Sequence, residues 1–379
     1  MLGRILRMRG IIPVILILAA LGYWWLHARP PKAIAIGYVA DRDVPLWNSL
    51  AQVHQRVGDL HYGDRVEIMR QEGTAAEVRT PSGTIGWLPD SRELMDASLW
   101  EQSTALLARA RAMPVQARGK TKTVSNVRIE PGRNGKRIFQ FPRGTQVVVL
   151  NRTIADAPTS SEDAAPGEKI PGGEEQKPKQ QEDWLLVLHT EGLTLLSEAL
   201  TPDPGSNSAA SRASAGPVSG GPSVSQSESP TGSSSAAPIA GWILARFIEL
   251  DLPGPVRDYA SSSDLHVVAW FELNRVPDGS GGQVPQYLVA GSHGGEGKAC
   301  DFTILRVYTW STARKRYETA YVESNLCGHL PIRVSSGSLG PEFRFADVDQ
   351  KDANRIYVMH QTVVRRISNK SPAQASPPH

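Results

Sequence analysis

The sequence predicts a mainly β protein: an N-terminal transmembrane helix, two small β modules joined by a helix, and a C-terminal antiparallel β domain. Three observations lead there. Short runs rich in β-branched and aromatic residues recur between Gly, Pro, Asn and Ser turn signals from Ile34 to Ile367. A Gly-Trp pair closes two separate stretches, at Gly86-Trp87-Leu88 and at Gly241-Trp242-Ile243. One segment past the N-terminus, Ser98–Met113, carries a sustained helical period.

At 379 residues the chain has room for two or three domains. A net charge of +3 is too mild and too dispersed for a nucleic-acid footprint. Arg314-Lys315-Arg316 and Arg365-Arg366 read as solvated turn and strand ends, so no nucleic-acid partner is expected. The two cysteines, Cys300 and Cys327, offer no zinc-ribbon spacing.

The elements follow in order. Arg4, Arg7 and Arg9 precede the apolar run Ile11–Leu26, which as a helix spans roughly 24 Å. Snorkelling arginines extend its reach, and Tyr23, Trp24 and Trp25 stand where an interfacial belt sits. Residues 1–31 therefore read as a membrane anchor with the N-terminus inside and the bulk of the chain periplasmic. The alternative is a signal peptide cleaved at Ala33-Ile34-Ala35, releasing a secreted protein.

The first module covers residues 32–95. Ile34–Val39 and Arg65–Met69 read as strands, and Pro81-Ser82-Gly83 turns Glu77–Thr80 back onto Thr84–Leu88. The connecting helix occupies residues 96–114. Ser98 and Glu101 form a capping-box pattern, Leu99, Ser103, Leu106, Leu107 and Ala110 share a face, and Pro114 stops it.

The second module covers 115–252. Val124–Leu150 reads as a short strand, a turn, a second apolar run, the Arg143-Gly144 turn and a β-branched strand. Asp183–Leu188 is a further strand, and Gly241–Leu250 closes the module. Two tracts interrupt it, at about 155–182 and 201–238. Their Pro, Gly, Ser and Glu content buries too little apolar surface to offset ordering entropy, so both are expected to be disordered insertions within one fold. Loop closure costs only about 0.6 kcal/mol per doubling of length, which such a fold tolerates.

Residues 253–368 read as the all-β domain after a helical turn at Val256–Ala260. Its expected strands are Leu265–Leu273, Gln286–Ala290, Phe302–Trp310, Arg316–Val322, Arg344–Val348 and Arg355–Ile367. The tail 369–379 is Pro/Ser-rich and frays.

Asn126-Val127-Arg128, Pro131-Gly132 and Gly144–Leu150, with the closing Gly241-Trp242, resemble bacterial SH3 domains. Gly58–Val66 and Gly86-Trp87-Leu88 resemble them a second time, with Leu46-Trp47 in place of the Asn-x-Arg opening. Met113–Gly119 and Phe302–Tyr321 extend the likeness to SH3-domain proteins of acidobacterial type. The resemblance implies two SH3-like small barrels in an envelope protein that binds peptidoglycan or an envelope protein partner. It brings no established activity.

Three stretches bear a partial likeness to catalytic or ligand motifs. A papain-like peptidase would need Cys300 at a helix N-terminus with His329 or His360 as base. Cys300 instead leads an alternating strand pattern, and Asp301 opposes thiolate formation. Ser292–Ala299 departs from a phosphate loop at both ends and reads as a flexible hairpin loop. Asp347–Asn354 has Lys351 where a calcium ligand belongs and no turn glycine, so it reads as a polar turn.

No metal or cofactor is expected, and the leading expectation is a non-enzymatic scaffold. A cell-wall cysteine peptidase and a structural or sensor ectodomain are the alternatives. Trp87, Trp184 and Trp242 are the candidate binding residues, because an indole can stack on a sugar or pack against a peptide; filling the core is their other role. Cys300 and Cys327 are expected to form a disulfide, since antiparallel pairing across the Ser311–Lys315 turn brings both to one edge.

Overall fold

Buried residues alternate with more exposed ones in stretches such as Ala117–Thr121 and Phe343–Asp347, and the described residues fold into four antiparallel sheets and two short helices. The computed structural model describes residues 32–157, 180–190, 237–348 and 354–367. The expected N-terminal helix, most of both expected insertions, and the tail lie outside the described residues. Among those described, no helix is long and apolar enough to cross a membrane.

One compact unit runs to Ala97 and the other from Ser98. In the first, seven strands form one sheet: β1 (Ala35–Val39), β2 (Asp43–Trp47), β3 (Arg56–His61), β4 (Arg65–Glu72), β5 (Ala75–Arg79), β6 (Ile85–Leu88) and β7 (Leu94–Asp96). Their order is β3-β2-β6-β5-β4-β1-β7. Val39, Val44, Leu46, Leu60, Val66, Val78 and Leu88 meet in one core. A single sheet that encloses its own core must curl. The strands β2, β3 and β7 are additional to those expected from the sequence, being short and charged at their ends.

The second unit opens with α1 (Ala97–Arg111). The helix starts one residue before the expected cap, and the Ser98 hydroxyl instead accepts a hydrogen bond from the Gln102 side chain (3.2 Å). Seven strands follow: β8 (Ala117–Thr121), β9 (Ser125–Arg128), β10 (Arg137–Phe141), β11 (Gln146–Asp156), β12 (Gln181–His189), β13 (Ile239–Leu244) and β14 (Ile248–Leu250). Their order, β10-β9-β13-β12-β11-β8-β14, repeats that of the first unit strand for strand.

The registers repeat too. Val78↔Gly86 corresponds to Val187↔Gly241, and Glu77↔Trp87 to Leu186↔Trp242. A Cβ on Gly86 would lie 2.5 Å from Leu46 Cγ, and one on Gly241 2.4 Å from Val127 Cγ1; in each copy a backbone carbonyl stands 2.9 Å away. The glycine of the Gly-Trp pair is therefore required where two strands cross at close range. One boundary is corrected. The tract expected to be disordered from 155 begins inside β11, whose pairs Ala155↔Glu182 and Asp156↔Gln181 continue the hairpin. Glu182 tolerates that buried place because two arginines meet it.

The remaining strands form two sheets. The first holds β15 (His266–Pro277), β16 (Gln283–Ser292), β17 (Ile304–Ser311) and β18 (Arg316–Glu323); the second holds β19 (Gly328–Gly337), β20 (Gly340–Asp347), β21 (Asn354–His360) and β22 (Val363–Ile367). They pack face to face through Leu288, Leu305, Val307, Ile332, Phe343, Phe345 and Tyr357. The helix α2 (Gly254–Ser262) covers the other side of the first sheet with Val256 and Ala260.

Two readings change here. Arg355–Ile367 is two strands, turning at Gln361 (φ 55°), and β19 was not foreseen because Pro331 interrupts it. The side chain of buried Gln116 joins this region to the second module. It donates to Ile332 O (3.1 Å) and accepts from Ile332 N (2.8 Å).

Candidate functional site

The three tryptophans occupy different settings. Trp184, on β12, is 3% exposed, and its indole N–H has no partner among the described residues. Trp87 is 7% exposed and lies under the Arg70 guanidinium, 4.8 Å from the ring centroid. Trp242 is half-buried beside Leu106, Leu107 and Ala110 of α1. Trp87 and Trp184 are thus both buried, Trp87 beneath Arg70, and no ring face of Trp184 is open to a ligand. A more accessible ring, not singled out from sequence, is Trp47. It pairs across the sheet with Trp87 and meets the exposed His54 edge to face at 4.3 Å.

The outer face around each Gly-Trp strand sets the two modules apart. In the second module Val148, Leu150, Leu186, Leu188, Ala240 and Trp242 form an apolar patch, and α1 lies on it. By register Glu67, Glu77, Arg79, Ile85 and Trp87 hold the matching places of the first module, Val148, Leu186, Leu188, Ala240 and Trp242 of the second. Here Arg79 pairs with Glu67 (2.6 Å) and Arg70 with Glu77 (3.4 Å), while Ile85 is 48% exposed. The Arg79 hydrogen bond holds the Glu67 carboxyl below its usual range. One fold carries a covered face in one copy and a charged face in the other.

A buried ionic cluster centres on Arg152. Its side chain is 4% exposed and donates to Asp183 (2.6 Å), Asp301 (2.8 Å) and the Lys298 carbonyl (2.9 Å). Burial works against the charge on Arg152, but hydrogen bonds and attraction from Asp183 and Asp301 outweigh it and raise its pKa. Asp183 also accepts from Gly297 N (2.8 Å), and Asp301 from Leu330 N (2.8 Å). The Ser292–Ala299 stretch is therefore tied to the β11–β12 hairpin at Gly297 and Lys298.

Cys300 and Cys327 form the expected disulfide beside this cluster, with Cα atoms 4.8 Å apart. With its sulfur in that bond, Cys300 has no thiolate to offer as a nucleophile. His329 Nδ1 lies 3.5 Å from Asp301 Oδ2, and His360 ends β21 at an exposed turn.

Two further polar clusters support the sheets. Glu182, 5% exposed, accepts from Arg133 (2.6 Å) and Arg246 (2.8 Å), and the Arg133 hydrogen bond leads in lowering its pKa. Between the C-terminal sheets Glu323 accepts from Tyr321 (2.7 Å), Tyr357 (2.6 Å) and Arg355, which also pairs with Asp347. Burial, then the Glu323 carboxylate, pushes the Tyr357 hydroxyl up to about 12. No group of three His, Cys, Asp or Glu among the described residues could hold a metal ion.

Arg152 and its carboxylates escaped the sequence reading because their partners lie more than a hundred residues apart in one case. The signal that points to them is an arginine inside a strand and an aspartate next to a cysteine. Comparison with protein-family models, with curated proteins and with solved structures found no match.

Proposed function

We propose that this protein is a non-enzymatic binding or scaffold protein of the cell envelope. It presents SH3-like modules to peptidoglycan or an envelope protein, and the N-terminal helix holds it at the membrane. The observation that carries this reading is the repeated seven-stranded module whose matching outer faces differ. The second copy spends that face on its own helix, as a scaffold would. The first keeps it charged, with Ile85, Arg70 and the Trp47–His54 pair within or beside it. A disulfide suits an oxidising compartment such as the periplasm.

The test is sedimentation of the purified full chain with isolated peptidoglycan, alongside in-cell crosslinking from a probe at Ile85. Co-sedimentation that drops in Trp47→Ala, or one reproducible envelope protein crosslinked from Ile85, supports the reading. Neither signal, with the chain still at the membrane, leaves the spacer ectodomain in its place.

A further inference from the structure

We propose that a groove on the second module, between β8, β14 and the β10–β11 turn, binds a ligand carrying phosphate groups. The groove has a volume of about 480 Å³ and is lined by Lys120, Thr121, Lys122, Arg143, Gly144 and Glu249. Lys120 lies near the end of β8 and Lys122 in the bend just past it, no more than about 7 Å away along the backbone, and both line the groove. Arg143 enters from the turn. Glu249 lies opposite Lys120 in the sheet, 3.8 Å from its ammonium. Three cations against one carboxylate leave a surplus of two positive charges. Among the described residues, neither Lys122 nor Arg143 is matched by a carboxylate.

The backbone beneath is already occupied. Gly144 N donates to Thr121 O (2.8 Å), Lys122 N to Phe247 O (2.8 Å), and the Thr121 hydroxyl to Pro142 O (2.6 Å). A ligand is therefore held by the ammonium and guanidinium heads. A phosphate suits them, with up to two negative charges and several acceptor oxygens for a guanidinium fork and two point charges.

The first module provides the internal control. Gly63 N donates to Val39 O as Gly144 N does to Thr121 O, and Ala40 N to Glu93 O as Lys122 N does to Phe247 O. Tyr38 pairs with Met95 as Lys120 does with Glu249. The same frame there carries Tyr38, Ala40, Tyr62 and Met95, with no formal charge. The fold does not require the charges of the second copy, so they are available for a ligand. This inference is independent of the envelope reading, because it rests on the groove alone.

The experiment is calorimetric titration of the full chain with tripolyphosphate at about 50 mM and about 200 mM salt. Saturable one-to-one binding is expected, weaker at the higher salt. Lys120→Gln with Lys122→Gln should weaken it about tenfold or more, as should Arg143→Gln, while Glu249→Gln strengthens it several-fold. Thermal melts of each variant check that the fold is kept. Three results would overturn the proposal: no binding by the wild type, equal loss from the remote pair Arg314→Gln with Arg316→Gln, or equal affinity for polyglutamate.

Discussion

The two modules share one strand order and one register, yet they differ in what their outer faces do. Around Trp242 the face is apolar and carries α1; around Trp87 it is laced with Glu67–Arg79 and Arg70–Glu77 pairs. Strand topology here follows the inner face alone. Val78 and Val187, or Gly86 and Gly241, are interchangeable in role, because both cores need the same crossing geometry. The outer face is free to diverge, and its hydrophobicity decides whether a helix docks.

Ionic residues sharpen the contrast. Arg152 of the second module corresponds in register to Gln71 of the first. Arg152→Ala would strand two buried carboxylates and is expected to cost about 3–5 kcal/mol in chemical denaturation. Gln71→Ala, at an exposed site, should fall within about 0.5 kcal/mol. Similar losses at both positions would break the comparison.

The disulfide comes next. Cys300→Ser with Cys327→Ser opens a loop spanning a sequence separation of 27, worth about 3.5 kcal/mol on the chain-entropy model. The loss should fall on the unfolding transition of the second unit and leave that of the first in place. A calorimetric scan resolves the two; an equal shift in both would count against independent units.

The covered face predicts a smaller difference. Leu186→Ala should destabilise by about 2–3 kcal/mol, since it removes a buried side chain beneath α1. At the matching site, Glu77→Ala removes only a partly exposed pair and should cost less than about 1 kcal/mol.

Acid sensitivity is the finest probe. Arginine partners lower the folded pKa of Glu182 below its ordinary 4.5, so its stabilising contribution is whole above that value and lost as pH falls through the folded one. Glu182→Gln should flatten the acid limb of the stability profile below about pH 4.5. Glu67→Gln, on the open face, should change it less.

Much of this arrangement was legible in the sequence. The Gly-Trp pairs marked both modules, the period of Leu99, Leu106 and Ala110 marked α1, and the cysteine positions marked the disulfide. Local chemistry governs each of these. The strands β2, β3 and β19 were hidden by charge and proline, and partners distant in sequence supply their pairing. The Arg152 cluster was hidden for the same reason. The split between the outer faces also needs register, because it appears only once Glu77 is set against Leu186.

In the second module α1 covers the face that stands open in the first. Both native cysteines are in a disulfide, so an introduced cysteine is a free thiol that can be followed directly. Ile85→Cys and Ala240→Cys place it at matching positions that are 48% and 2% exposed. Reaction of each variant with a thiol reagent under native conditions is the measurement. Ile85→Cys is expected to react near the rate of a free peptide thiol, while Ala240→Cys reacts only as fast as the second unit opens. Equal rates at the two sites would contradict it.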